Sequence, residues 1–161
     1  MRALALDLGS KRIGVAVSDS DGRVATPITT IHRSGNRARD HRAVADLVAE
    51  WEAEIVVVGL PLSLDGSVGK AAKRALAEVR NLGATLSVPV ETYDERLTTV
   101  TAERVLVEQQ LDGRARRQVV DQVAASIILQ AWLDHRANTP PGDTPPDDSS
   151  GPMTAVDASD G

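Results

Sequence analysis

The spacing of apolar residues along this chain first changes from a period of two to a period near four after three strands, and later changes set the order of the remaining elements. The opening stretch RALALDL predicts a first strand over 2–8, ended by Gly9 and Ser10. A second strand is predicted over 12–18, where Val and Ile dominate, and Asp21-Gly22 is a hairpin-turn pair. A third follows over 24–31, with Pro27 marking an irregularity or a sheet edge because proline has no amide for the ladder. Val44, Leu47, Val48 and Trp51 then fall at i, i+3, i+4 and i+7, the stripe of an amphipathic helix of about four turns.

The run 55–60 is continuous Ile and Val up to Gly59-Leu60, as expected of a strand buried on both faces. A loop over 61–68 carries an Asp65-Gly66 turn, a second helix is predicted over 69–82, and a fifth strand over 86–93 has Pro89 near its start. Helices over 99–111 and 118–136 complete the pattern, joined by a link that contains Gly113 and holds Arg114, Arg116 and Arg117. The order β-β-β-α-β-α-β-α-α predicts an α/β fold. In it, a meander and two right-handed crossovers form a mixed five-stranded sheet flanked by helices.

Composition divides the chain in two. Residues 1–137 have the length for one well-cored domain. Residues 138–161 hold five of the eight prolines among Gly, Ser, Thr and Asp, and read as a disordered acidic tail. All 18 Lys and Arg precede residue 138, as do 18 of the 23 acids, so the net charge of −5 belongs to the tail. A neutral body neither favours nor opposes a polyanionic partner; the clustering of its bases matters instead. The absence of cysteine excludes disulfides, zinc-thiolate sites and thiol nucleophiles. No apolar run suits a membrane span or a secretory leader, so a cytosolic protein without membrane partners is expected. Trp51, Trp132 and Tyr93 are the only aromatics, too few for a base-stacking platform, so any nucleic acid would be held through phosphates and shape.

Three acids stand out. Asp7 lies near the end of an apolar strand, with Leu6 and Leu8 on the opposite face. Asp94 and Glu95 end the fifth strand. Asp121 shares a helical stripe with Ala124, Ala125, Ile128 and Trp132, which aims it at the sheet. Each has an ordinary reading: a turn-capping Asp7, solvated loop charges at 94 and 95, and an ion pair of Asp121 with Arg96 or Arg117, or an N-cap there. In the predicted sheet the three converge, and neighbouring carboxylates imply a neutralising divalent cation. Oxygen ligands without His or Cys suit Mg²⁺ or Mn²⁺. His32, His41 and His135 have no ligand spacing and are expected on the surface. The bases fall in three groups: Arg33, Arg37, Arg39 and Arg42; Lys70, Lys73 and Arg74; Arg114, Arg116 and Arg117. Any one group could be solvated surface, and those near the acids would suit a phosphate backbone.

The segments ALDLGSKRIGVAVSD (5–19), VVGLPLSLDGS (57–67), YDERLTT (93–99) and VVDQVAASIILQAWLD (119–134) are collinear. Together they resemble the YqgF/RuvX family of pre-16S rRNA nucleases, relatives of the RuvC Holliday-junction resolvases. The resemblance covers 5–134, leaving out the tail, and the Arg-rich link 112–118 is its variable part. It implies a ribonuclease-H-like fold, with catalysis and metal binding by Asp7, Glu95 and Asp121. The mechanism expected on that basis is two-metal phosphodiester hydrolysis. From the residues themselves we add Lys11 and Arg96 as phosphate contacts and Gly9 and Gly14 as places of close approach. The expected substrate is the 5′ end of pre-16S rRNA during ribosome biogenesis, with ribosomal particles as further partners and a monomer favoured over a dimer. The alternatives are a dimeric resolvase acting on branched DNA and a non-catalytic nucleic-acid-binding module. A nucleotide-enclosing fold of the actin and sugar-kinase type is disfavoured, since the chain has length for one of its two domains.

Overall fold

The computed structural model describes residues 1–98 and 113–138, with the side chains of the second segment described from Val123 onward. Five strands, β1 (Ala3–Leu8), β2 (Arg12–Ser18), β3 (Ala25–His32), β4 (Ile55–Leu60) and β5 (Val90–Asp94), form one sheet in the order β3-β2-β1-β4-β5. The β1–β2 and β2–β3 pairs are antiparallel, while β4 runs parallel to both β1 and β5. The mixed sheet is the one expected. Among the described residues the sheet is joined by helices α1 (Arg37–Glu50), α2 (Lys70–Thr85) and α3 (Gly113–Ala137), with a 3₁₀ turn at Glu95–Thr98 that periodicity did not reveal. Among the described residues no helix is long and apolar enough to cross a membrane.

The two sheet faces have different textures. Leu4, Leu6, Ile13, Val15, Val56 and Val58 pack on α1 and α2 through Val44, Val48 and Leu82. The full burial of each such side chain stabilises the fold by roughly 1.5–3 kcal/mol. On the opposite face Ala3, Ala5, Ala16 and Val57 meet Ala125, Ile128, Leu129 and Trp132 of α3. Small residues there let the helix lie close. Trp132 Nε1 donates to Glu91 Oε1 at 3.2 Å and Gln130 Oε1 accepts from Ala25 N at 3.0 Å, fixing the second half of α3 to both sides of the sheet.

Several turn signals act as expected. Gly22 and Gly66 have positive φ, at 70° and 87°. Pro27 sits on the edge strand β3 beside a register shift opposite Val15 and Ala16. Three expectations are corrected. The fifth strand begins at Val90 rather than residue 86, because Leu86 caps α2 and donates its amide to Leu82 O. Gly113 and the arginines after it belong to α3 instead of forming a link. His41 is buried, not on the surface, with Nε2 2.8 Å from Glu78 Oε2. The helix expected over 99–111 and the tail beyond Asn138 lie outside the described residues.

Glu78 is the hub of that buried cluster. Arg33 donates from Nη1 and Nη2 to its two oxygens, both at 2.9 Å. Burial alone would raise the Glu78 carboxyl, but the hydrogen bonds and charges of Arg33 and His41 outweigh it and leave the group below glutamate's ordinary 4.5. A depressed carboxyl stabilises the fold above its unfolded value and loses that contribution as pH falls through the folded one. Glu78→Gln should therefore cost about 2–3 kcal/mol at pH 7, discounted for the partial exposure of Arg33. Urea midpoints at pH 7 and below pH 4 check this: the gap to wild type should narrow in acid, and an equal gap at both would contradict it.

Candidate active site

Strand pairing sets the geometry of the acidic edge. Asp7 follows Ala3 and Ala5 on the α3 face of β1, the middle strand, opposite Gly14 of β2. Glu95 comes directly after β5, on the parallel strand two places away. Strand spacing puts those backbones about 10 Å apart, a gap two carboxylate side chains can share. Between them β4 ends with Gly59 level with Tyr93 and Leu60 level with Asp94. Gly59 is the empty place in this row: a Cβ there would lie 3.1 Å from Glu95 Cγ and Oε2, and 2.5 Å from Ile128 Cδ1. A glycine inside a β-branched strand was the signal for this close approach.

Electrostatics separates the adjacent acids at the end of β5. Asp94 is held below the usual carboxylate range, chiefly by the Arg96 side chain, whose Nη2 donates to Oδ2 at 2.6 Å and whose Nε reaches both oxygens. Arg96 Nη1 also donates to Leu64 O at 3.3 Å, tying the loop after β4 to the site. Glu95 goes the other way. Half-buried, its carboxyl is pushed up by burial first, then by the negative charges of Asp7 and Asp94. The Thr98 hydroxyl donates to Glu95 O at 2.6 Å and closes the turn that presents this side chain.

The turn after Asp7 is equally constrained. Gly9 N donates to Arg12 O at 2.9 Å, and a Cβ on Gly9 would sit 2.7 Å from that oxygen. Arg33 Nε donates to Gly9 O at 2.7 Å, so the Glu78 cluster also braces the loop that carries Asp7. That role for Arg33 was not visible in its sequence neighbourhood, where it looked like one base among four. Lys11 is exposed on the same turn.

Of the sequence candidates, Asp7 and Glu95 are thus brought together, and Arg96 is close by, engaged with Asp94. Position 121 lies on α3, one helical turn before the buried Ala125. Its side chain lies outside those described. The Asp7–Glu95 pair, partly buried and mutually repulsive, has the hard-oxygen chemistry to hold a divalent cation.

A five-stranded mixed sheet with this order, acids at the carboxyl ends of β1 and β5, and a helix laid across them define a ribonuclease-H-like domain. Two structures of Thermus thermophilus RuvC share the fold. One has a TM-score of 0.60 at 19% identity, covering 86% of this chain and 98% of that one. The other, in complex with a Holliday junction substrate, has a TM-score of 0.55 at 16% identity, covering 86% and 97%. The family model for RuvX, described as Holliday junction resolvase, matches residues 1–135, and the chain belongs to that family. A Moorella thermoacetica relative provisionally named a pre-16S rRNA nuclease is 51% identical over 134 residues, covering 83% of this chain and 95% of the relative. A Myxococcus xanthus relative of the same name is 49% identical over 149 residues, covering 92% and 97%.

The clash geometry at Gly59 yields a test. Gly59→Ala should destabilise the fold by about 1–3 kcal/mol through overpacking against Ile128. Ile128→Val removes Cδ1, the atom nearest the added methyl group, so Gly59→Ala/Ile128→Val should recover most of the cost attributable to that contact. Additive losses in a urea double-mutant cycle would show that Ile128 is not the obstacle.

Proposed function

We propose that this chain is a divalent-metal-dependent nuclease that hydrolyses phosphodiester bonds at the edge formed by Asp7 and Glu95, with pre-16S rRNA as its substrate. The observation that carries the reading is the opposed, half-buried pair itself: burial and the charge of Asp7 raise the proton affinity of Glu95, while Arg96 neutralises the adjacent Asp94. Two carboxylates that disfavour each other's charge are relieved by a cation held between them. The names of the relatives supply the substrate class.

Asp7 and Glu95 would hold the cation, with Asp121 as the proposed third ligand from α3. When bound, a hard divalent cation supplies Lewis acidity toward a phosphoryl oxygen and toward water. Asp7 contributes a fixed carboxylate, since its strand is hydrogen-bonded on both sides. Burial and the charges of Asp7 and Asp94 raise the proton affinity of Glu95 when no cation is present. Arg96 orients Asp94 beside it and, with Lys11, faces the phosphates that flank the scissile bond. Gly59 and Gly9 keep side chains out of the space these groups need. Arg33 holds the Gly9 carbonyl and so the turn behind Asp7.

A second reading is favoured by the family description and by the RuvC complex: cleavage of a four-way DNA junction. Symmetric cutting of two strands requires two sites about a two-fold axis, so it predicts a dimer. The deciding assay offers the purified protein a pre-16S rRNA 5′ end, unrelated RNA and a four-way junction, each with Mg²⁺ or Mn²⁺. Asp7→Asn should lower cleavage at least 100-fold on whichever substrate is cut, an effect of the size expected from removing electrostatic stabilisation of the transition state. Cleavage undiminished in that variant would rule out the assignment.

A second prediction needs no turnover. A carboxyl whose folded value is raised destabilises the fold above that value, and the penalty fades as pH falls below the ordinary 4.5. Metal-free Glu95→Gln should thus have a higher Tm than wild type at pH 7–8, converging with it in acid. Mg²⁺ or Mn²⁺ should stabilise wild type, by about 2.7 kcal/mol at a hundred times Kd, and the variant far less. Equal stabilisation of both proteins would place the cation elsewhere.

A further inference from the structure

The sequence groups its bases by neighbourhood along the chain, but the fold regroups them. On the far side of the β1–β2 turn from Asp7, two adjoining cavities of about 420 and 390 Å³ share Ser10, Arg33 and Arg37 and form one groove. Lys11 and Asp40 line one end; Arg74 and Glu78, brought in by α2, line the other. Bases from three separate stretches of sequence therefore meet in one place. No aromatic residue lines it.

The charges in the groove do unequal work. Arg33 is committed to Glu78 and to Gly9 O, and forms wall rather than free charge. Both acids are internally satisfied: Glu78 accepts from Arg33 and lies against His41, and Asp40 accepts from Ser34 N and Oγ at 3.1 and 2.7 Å. Lys11, Arg37 and Arg74 are exposed, and among the described residues they take part in no ion pair. Four cations against two acids make the groove positive in a body whose charges balance only when taken as a whole. The Gly9–Ser10 turn lies where the two cavities join, so a chain leaving Asp7 over that turn enters the groove there.

We propose that this groove holds the sugar–phosphate backbone of the substrate strand beyond the scissile phosphate, with Arg37 and Arg74 as its principal contacts. The proposal rests on Asp7 and Glu95 being the cleavage site. An open, cationic channel without aromatics suits phosphates rather than bases and gives affinity without sequence preference.

The experiment measures anisotropy of a fluorescein-labelled single-stranded RNA on the full chain in EDTA, across a salt series. Arg37→Gln and Arg74→Gln should each weaken binding about five- to tenfold at low salt, and each should flatten the slope of log K against log salt by about 0.7–1. Arg39→Gln, which removes a charge from the same helix outside the groove, should leave affinity and slope near wild type. If the Arg37→Gln/Arg74→Gln protein binds with wild-type slope, the groove assignment is overturned. Competition by inorganic phosphate as potent as that by the oligonucleotide would also overturn it, in favour of a small-anion site. Cleavage in Mg²⁺ separates the two ideas. Wild-type cleavage that Asp7→Asn abolishes, together with unchanged RNA binding by the arginine variants, sinks the groove and leaves the nuclease standing. A wild type that neither binds nor cuts nucleic acid sinks both.

Discussion

Helix α3 can rest on the sheet only because the surface beneath it is nearly bare. Ala3, Ala5 and Ala16 offer one methyl group each, and Gly59 offers none. Ile128 and the Glu95 side chain occupy the volume that a residue at 59 would otherwise fill. Were the strip built of Val and Leu, as the opposite face is, the helix would ride higher and the acid at 95 would have no recess to enter. The functional edge is thus a by-product of asymmetry between two faces of one sheet, large side chains holding the fold together on one and small ones making room on the other.

Charge is arranged with the same economy. Three carboxylates around the site have a cation or a set of donors: Asp94 has Arg96, Glu78 has Arg33 and His41, and Asp40 has the Ser34 amide and hydroxyl. Glu95 differs from them: burial, and after it the charges of Asp7 and Asp94, raise its proton affinity. The fold has thus placed unfavourable electrostatics where a ligand of opposite sign could use it.

Much of this was legible in the chain. Period-two and period-four spacing located the first four strands and the first two helices within a few residues, and Pro27 announced its edge and its bulge. Asp7 and Glu95 were readable as neighbours because each falls at the carboxyl end of a strand, and those ends can meet in such a sheet; that β4 lies between them came from the fold. Other features had no local signature. Pro89 inside an apolar run looked like an interrupted strand, yet the chain from Leu86 to Pro89 serves as the exit of α2. His41 fell on a polar-looking turn of helix, and only its long-range partner Glu78 explains its burial. Arg33 gave no hint that it differs from Arg37, because the distinction lies in which acid each can reach, and Glu78 is 45 residues away. Pairings across such distances are decided by packing, which spacing along a chain does not record.

The two carboxylates are mounted differently. Asp7 belongs to a strand clasped by neighbours on either flank, whereas Glu95 stands just past the outermost strand, on a short turn pinned by Thr98 and by the Arg96 bond to Leu64. One jaw is set in the frame and the other is hinged at its margin. Whatever lies between them, accommodation of size or shape falls to the margin, so tuning of the fit by substitution should succeed along 61–68 and at 97–98 and fail along β1.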